Sequence, residues 1–531
     1  MITDGVLRAM AEKIAAVGPR GWRRAELRGF ATGDGGSGHH GFAFEPGDVG
    51  GEADLHAELS ALGDEAGGRL TVELVVEARG RFEAVLSRSL ERDGAGGFLY
   101  LLDRDTRPEE PGVFQPGPVD AVAAGDPDEA IALLGAYLRE RDRVLGRDTY
   151  APPPALPAAR RAWLESRLPV TLPADLRALY AHIDGDGGIG LLDRHPWFGL
   201  EMLENQSRTE NRRWAGRHDW RHHPLIGASG PPLAVRRVSD HPCWIPFATD
   251  SLGDFLAVDL APGPGGRPGQ VIRMGPHHDE GPVHVADSVT DLLRRHVAAL
   301  RAGAYRIEDG ELSIDIKRPR DEARSLTVTG AQAGTMPGLH ARIERLKVMN
   351  ASWADFGPLR GAPMLWQVTV ENCPGADLGP LRDTPLERLD LAMDTVDLAP
   401  LTGHGTLRMA RLRTGNPVDL TPLLSCPRLY ALDLADADVP DLTPISVLKG
   451  LLYLRLRREQ WERITCPPGL AAAVLAAEPL REKRWWWSAD KAYHPPEPSL
   501  RTAVGWAEHL AGEAADLRIV TGRYSRRPAS R

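Results

Sequence analysis

Few residues in this chain have the types and spacing that chemistry needs, and most of those lack the necessary companions. In RHDWRHHP, His218 and His222 would share a helix face at i, i+4, with His223 beside them, a spacing that can hold zinc. No HExxH glutamate accompanies them and Pro224 follows at once, so a surface loop or interface is expected there rather than a metal centre. His277, His278 and His284 show no ligand spacing. DGDGGIG, Asp184 to Gly190, lacks both the closing glutamate of a calcium loop and the GK[ST] of a phosphate cradle, and reads as a glycine turn ending a helix. Asp250, Asp254 and Asp259 could form an acid/base set. Spread over one turn and a strand with no partner motif, they read instead as turn and packing residues. Cys243, Cys373, Cys426 and Cys466 lie far apart without a CxxC pair, which supports neither a zinc knuckle nor a disulfide framework. No catalytic residue, metal or cofactor is expected, and the chain is read as a non-enzyme.

Bulk composition agrees with a binding protein of ordinary globular type. The 531 residues suggest three or four domains at roughly 150 residues each. The net charge of -9 gives no global attraction to nucleic acid or to an anionic membrane. Six of the 64 basic residues are Lys, and with abundant Ala, Gly and Pro this looks like the codon bias of a GC-rich, bacterial-type genome. The first helix pattern carries Asp4 and Glu12 and lacks a signal peptide's apolar core, and no run of about 18 apolar residues exists to span a bilayer. A cytoplasmic protein is expected, with no nucleic acid and no membrane as partner.

The strongest pattern is a repeat. DFGPL (Asp355 to Leu359), DLGPL (Asp377 to Leu381), DLAPL (Asp397 to Leu401), DLTPL (Asp419 to Leu423) and DLTPI (Asp441 to Ile445) recur at intervals of 22, 20, 22 and 22 residues. A period in this range predicts a leucine-rich-repeat solenoid, whose concave sheet usually holds another macromolecule. Strand pairs fall at Leu346/Val348, Val368/Val370, Leu389/Leu391, Ala410/Leu412, Leu432/Leu434 and Leu454/Leu456. Each D-L-x-P-[LI] supplies the return: its Leu packs inward, its Pro forbids regular helix, and its Asp bonds nearby backbone donors. The asparagine expected after each strand is replaced by Cys373, Asp394, Gly415 and Ala437, which argues against a continuous asparagine ladder.

Because side chains alternate along a strand, the residues between the leucines should face outward. They include Arg345, Lys347, Gln367, Thr369, Glu371, Arg388, Asp390, Met409, Arg411, Arg413, Asp433, Tyr453, Arg455 and Arg457. Seven are basic and three acidic, which suggests a docking face for an acidic protein with Tyr453 and its Arg neighbours as anchors. REKRWWW, Arg481 to Trp487, could stack bases or sit at a membrane interface, but better suits a C-terminal cap over the last coil.

Upstream, residues 1–148 read as a small α+β module: a helix with Val6, Met10, Ile14 and Val17 near one face, strands through RLTVELVVEARGRFEAVLSRSL, and helix again at PDEAIALLGAYLRERDRVLG. Its order of helix, Trp22 after a Gly/Pro step, then strands resembles the YezG-type immunity family. YAPPPALP marks a linker at 149–157. Beyond it, LPADLRALY, WIPFATDSLGDFLAVDL, GQVI and VADSVTDLLRRH follow in an order that resembles the SUKH superfamily of Smi/Knr-type proteins, over about residues 155–302. Trp244 lies in this motif, and Asp250, Gly253, Asp254, Asp259, Gly269, Gln270 and Val271 match its pattern. The Arg-, His- and Trp-rich stretch from Asn205 to Val238 departs from it. The resemblance implies an α+β domain with a mixed sheet, no catalytic residues, and work by protein binding: toxin neutralisation in bacterial members, control of cell-wall synthesis in fungal ones.

The expected protein is therefore a multidomain α+β chain. A module at 1–148 and a linker at 149–157 precede a SUKH-like α+β domain at 158–302, a leucine-rich-repeat solenoid at 303–465 and a C-terminal cap and tail at 466–531. Its expected role is stoichiometric binding of a protein, as an immunity protein against a toxin domain. The alternative is an intracellular scaffold or regulator that recruits a cellular protein through the repeats.

Overall fold

The computed structural model describes the chain apart from residues 1, 32–36, 47–48, 94–96, 104, 147–150, 193, 209–225, 276, 279–280, 309–310, 315–323, 331–341, 478–497, 513–515 and 526–531. It is a mixed α+β, multidomain protein with several sheets. The chain divides into two compact units, one of residues 108–324 and one assembled from residues 1–107 and 325–531.

The continuous unit is built on an antiparallel meander of four strands, Trp244–Thr249, Phe255–Asp259, Gln270–Met274 and Val283–Ala286. Its strands are apolar nearly throughout because helices cover the sheet: Leu176 and Leu179 from Ala174–His182, Leu200 and Leu203 from Leu200–Arg208, and Leu292 and Leu293 from Val289–Arg301 share a core with Ile245, Phe247, Val258 and Val271. Ser288 caps the last of these helices, its hydroxyl accepting the Asp291 N–H at 3.0 Å. The four strands are antiparallel where a mixed sheet was expected; Ser229, outside them, makes a parallel bridge to Val283.

Two boundaries expected from the sequence move. The helix Pro127–Leu145 belongs to this unit, with Ala130 and Leu134 in the same core as Leu292. The proline stretch is docked rather than free: Asp184 N–H donates to Pro153 O at 2.9 Å, and Pro154 bridges Ile183. The hairpin Tyr305–Glu308 and Glu311–Ile314 also closes onto this unit, burying Leu312 and Ile314 against Tyr137 and Leu300.

In the other unit the two chain segments interleave. A six-stranded antiparallel sheet runs in the order Arg518–Arg523, Arg81–Ser87, Leu70–Glu77, Arg24–Ala31, Ser37–Glu45, Val49–Gly51. A strand from the last residues, with Val520 opposite Ala84, thus completes a sheet begun by the first. Its core is closed by Leu7, Met10 and Ile14 of the helix Ile2–Ala16.

The second sheet of this unit has ten strands. Eight are parallel and in chain order, from Ser325–Thr329 through Arg345–Met349, Gln367–Cys373, Arg388–Met393, Met409–Thr414, Ala431–Asp436 and Tyr453–Leu456 to Ala472–Leu475. Leu346, Val368, Leu389, Ala410, Leu432 and Leu454 form one buried row in register. Val348, Val370, Leu391, Leu412, Leu434 and Leu456 form a second. The D-L-x-P-[LI] segments turn the chain between strands in the same way five times. Asp355, Asp377, Asp397, Asp419 and Asp441 each accept, through Oδ1, the N–H two residues on at 2.8 to 2.9 Å. A short helical turn opening near Pro follows each of them.

The parallel run ends against the N-terminal hairpin Leu90–Asp93 and Gly97–Leu101, with Val474 opposite Leu99 and antiparallel to it. That pairing covers the edge of Ala472–Leu475 and leaves the short strand Leu90–Asp93 as the terminal one. The helix Leu500–Ala511 covers the same end, placing Trp506 5.7 Å from Trp461 and 6.5 Å from Tyr100 between ring centroids. Its Leu500 N–H is held by Glu73 Oε2 at 2.8 Å. The REKRWWW stretch expected as the cap lies outside the described residues.

Candidate functional site

The outward side of the parallel sheet is where sequence placed a docking face, and its charges are largely spent on one another. Lys347 Nζ meets Glu371 Oε2 at 2.9 Å, Arg388 Nε meets Asp390 Oδ2 at 2.9 Å, and Arg457 Nη2 meets Asp436 Oδ1 at 2.9 Å. Across three strands Arg411 Nε lies 3.0 Å from Asp433 Oδ2, Arg455 Nη1 3.4 Å from the same oxygen, and Arg455 Nε 3.2 Å from Asp93 Oδ2. Arg345 Nε donates to Ser325 Oγ at 2.8 Å. A count of seven basic against three acidic residues therefore overstates the free positive charge, because in-register neighbours neutralise each other.

Accessibility changes along the sheet. Arg345, Lys347, Gln367, Thr369, Glu371, Arg388, Arg411, Arg413 and Arg457 are half-buried, while Asp390, Asp433, Arg455, Tyr453 and Met409 are buried. Tyr453, the expected anchor, is 2% exposed, and burial, with Asp433 and Asp93 close by, drives its phenol well above the usual range. Asp93, from the hairpin that closes the sheet, reaches the Arg455 guanidinium, so this end of the face is filled by the chain's own residues. Burial alone would lower the Arg455 pKa, but Asp433 and Asp93 outweigh it and hold the guanidinium charged. The candidate docking surface contracts to the strands between Arg345 and Thr414.

A feature missed in the sequence runs along the strand ends. Asn350, Asn372, Asp394, Asn416 and Asp438 lie 22 residues apart, one residue away from several of the positions counted from the leucines. Asn350 and Asn372 adopt left-handed backbone, with φ of 53° and 59°, and Asn372 Nδ2 donates to Asn350 Oδ1 at 2.6 Å. Asn416 Nδ2 donates to Asp394 O at 3.1 Å, and Asp438 N–H to Thr414 Oγ1 at 3.0 Å. The signal was in the spacing, hidden because the strand Gln367–Cys373 shifts register between Glu371 and Cys373.

In the continuous unit the motif residues converge on the meander's turns. Asp250 Oδ1 accepts the N–H groups of Leu252 and Asp254, both at 2.9 Å, and Gly253 takes φ +88°, closing the first hairpin. Asp254 Oδ1 accepts the His277 N–H at 3.1 Å and lies 3.5 Å from His277 Nδ1, and Asp254 Oδ2 lies 3.5 Å from His278 Nε2. Asp259 is fully buried: Ala261 N–H donates to Oδ1 and Gln270 Nε2 to Oδ2, each at 2.9 Å. Gln270 Nε2 also holds Ala234 O at 2.9 Å. Gly269, at φ +89°, donates to Asp259 O at 2.7 Å. Burial pushes the Asp259 carboxyl up to about 7, against the opposing pull of the Ala261, Gln270 and Trp244 hydrogen bonds. Val271 and Trp244 are both buried in packing. All three aspartates accept backbone or amide N–H groups at the meander's turns, an arrangement that sets loop geometry.

Among the described residues the remaining candidates do not assemble into a centre. His218, His222 and His223 lie outside the described residues. His284 Nε2 lies 3.3 Å from Asp287 Oδ1. Among the described residues no group of three or more His, Cys, Asp or Glu side chains could hold a metal ion, and no helix is long and apolar enough to cross a membrane. In DGDGGIG, Asp186 is consumed by the Gly188 and Leu191 N–H groups at 2.9 and 2.8 Å. All four cysteines are free thiols.

Comparison with known proteins places the continuous unit. Residues 160–295 are an SMI1 / KNR4 family (SUKH-1) domain. The chain is similar to the cell wall biosynthesis/cell cycle regulator smi1 of Schizosaccharomyces pombe, 37% identical over 29% of this chain and 31% of that protein. It is similar to the cell wall assembly regulator SMI1 of Saccharomyces cerevisiae, 40% identical over 15% of each chain, and to the glucan synthesis regulatory protein of Neurospora crassa, 41% identical over 17% of this chain and 16% of that one. The match spans less than a third of the length of each of these relatives. Their names describe regulators and not enzymes, and they shift the expectation from toxin immunity towards regulation.

Proposed function

We propose that this chain is a non-catalytic regulatory or scaffold protein that recruits a cellular protein, with the SMI1/KNR4 domain inserted into a unit whose parallel sheet is a leucine-rich-repeat-type coil. The observation that carries the reading is the domain at 160–295, whose named relatives are regulators. It is supported by the site geometry, in which the motif aspartates serve turns rather than chemistry. The repeat reading rests on the two buried apolar rows, the first of them in register throughout, and the five like aspartate turns. Its half-buried strands between Arg345 and Thr414 are the proposed partner surface, since exposed sheet faces of stacked repeats commonly bind protein. The four free thiols suit a reducing, intracellular setting.

The test is affinity capture by the full chain from lysate of its own source organism, repeated with Arg345→Glu combined with Gln367→Ala. Retention of a defined protein by the parent chain and its loss with the double variant supports the reading. Equal retention by both chains, or turnover of a substrate by the purified protein, overturns it.

A further inference from the structure

A groove of about 490 Å³ opens at the C-terminal ends of the parallel strands, sharing Glu371, Arg413 and Thr414 with the rim of the proposed partner surface. Its polar lining includes Asn350, Asn372, Asp394, Arg413 and Asp436, and Met349, Met393, Cys373 and Pro374 supply apolar wall. Ala392 and Gly415 leave room between them. Beside this wall stands Trp353, whose side chain is 55% exposed. Its ring lies against Gly375, where an added Cβ would come within 2.8 Å of it, next to Pro374 of the groove wall.

The geometry points to a binding site for a neutral oligosaccharide. Three features favour that class. First, the charges balance: Glu371 is tied to Lys347 and Asp436 to Arg457, each at 2.9 Å, leaving Asp394 against Arg413. Such a groove gives no net attraction to phosphate or nucleic acid. Second, its polar groups are planar amides, carboxylates and a guanidinium, which can each take two adjacent hydroxyls. Arg413 Nε is buried and has no hydrogen-bond partner among the described residues, a donor that a ligand oxygen would satisfy. The ladder repeats with the strands, about 4.8 Å apart, so successive side chains can meet successive parts of an extended chain of sugar rings. Third, Trp353 offers an open aromatic face for the C–H side of a ring. An extended peptide fits less well, because these strands already pair on both sides and present no free edge to add to.

The experiment is titration of the full chain with hexasaccharides of β-1,3-glucose, β-1,4-glucose, β-1,4-N-acetylglucosamine and β-1,4-mannose, read by calorimetry and tryptophan fluorescence. At least one should bind with saturating heat and a change in emission. Trp353→Ala and, separately, Asp394→Ala should each weaken that binding by about tenfold or more, while leaving the unfolding transition in place. Arg382→Ala, exposed and outside the groove, should leave it unchanged. Absence of binding to all four sugars, equal binding by parent and both groove variants, or saturable binding of a peptide library in the groove instead of any sugar overturns the assignment.

Discussion

Replacing Arg455 by Met tests whether the first hundred residues and the repeats form one folded unit. The Arg455 side chain is 7% exposed and lies between Asp433 and Asp93, whose side chains are 9% and 6% exposed. Methionine fills a similar volume but leaves the carboxylates without that cation. Asp433 keeps Arg411 at 3.0 Å, so Asp93 becomes the uncompensated buried charge. Removing one partner of a buried pair costs about 3 to 5 kcal/mol, a large share of a stability of roughly 5 to 15 kcal/mol. Adding Asp93→Asn should return most of the loss, with a coupling of about 2 kcal/mol between the two sites. Urea unfolding followed by hydrogen exchange with mass spectrometry separates the units. Peptides from residues 70–101 and 345–475 should lose protection together, while those from 240–300 keep theirs. A loss below about 1 kcal/mol, or strict additivity of the two substitutions, would refute a buried pair joining residues 362 apart in sequence.

Three further outcomes follow from the geometry. Burial raises the folded Asp259 pKa to about 7 from the 3.8 of an ordinary aspartate, so its contribution to stability is full below the lower value and is lost as pH rises through the higher one. Urea midpoints should therefore show the SMI1/KNR4 unit losing ~3 kcal/mol between pH 5 and pH 8, and Asp259→Asn should flatten that slope. Asp397→Ala removes the hydrogen bond that opens one repeat turn and should cost about 1 kcal/mol by thermal denaturation, with Asp419→Ala costing about the same. Truncation before Ser499 removes both the Leu500–Ala511 helix and the Arg518–Arg523 strand; limited proteolysis should then degrade residues 1–107 and 325–477 while a fragment near 108–324 persists.

What the sequence made legible was whatever has a local signature. The aspartate turns and the apolar rows at Leu346 to Leu456 follow from residue type and spacing. Pairing between distant segments has no such signature: nothing in RIVTGR announces that Val520 will lie opposite Ala84, or in GFLYL that Leu99 will meet Val474. The proline stretch declared its extended shape but not that Ile183 and Asp184 would dock on it. Charge counting saw Arg388, Arg411 and Arg455 but could not see that Asp390, Asp433 and Asp93 sit within reach. The polar ladder was missed by one residue: the counted positions Cys373, Gly415 and Ala437 each stand next to a ladder residue, and the register shift at Asn372 is not visible in the sequence.

The central claim is that a protein partner docks on the accessible strands between Arg345 and Thr414. The most direct measurement is calorimetry of the captured partner against the parent chain and against the Arg345→Glu, Gln367→Ala variant. The account predicts binding with a negative heat-capacity change by the parent and a loss of about tenfold or more in affinity with the variant. Equal affinity for the two chains would contradict it.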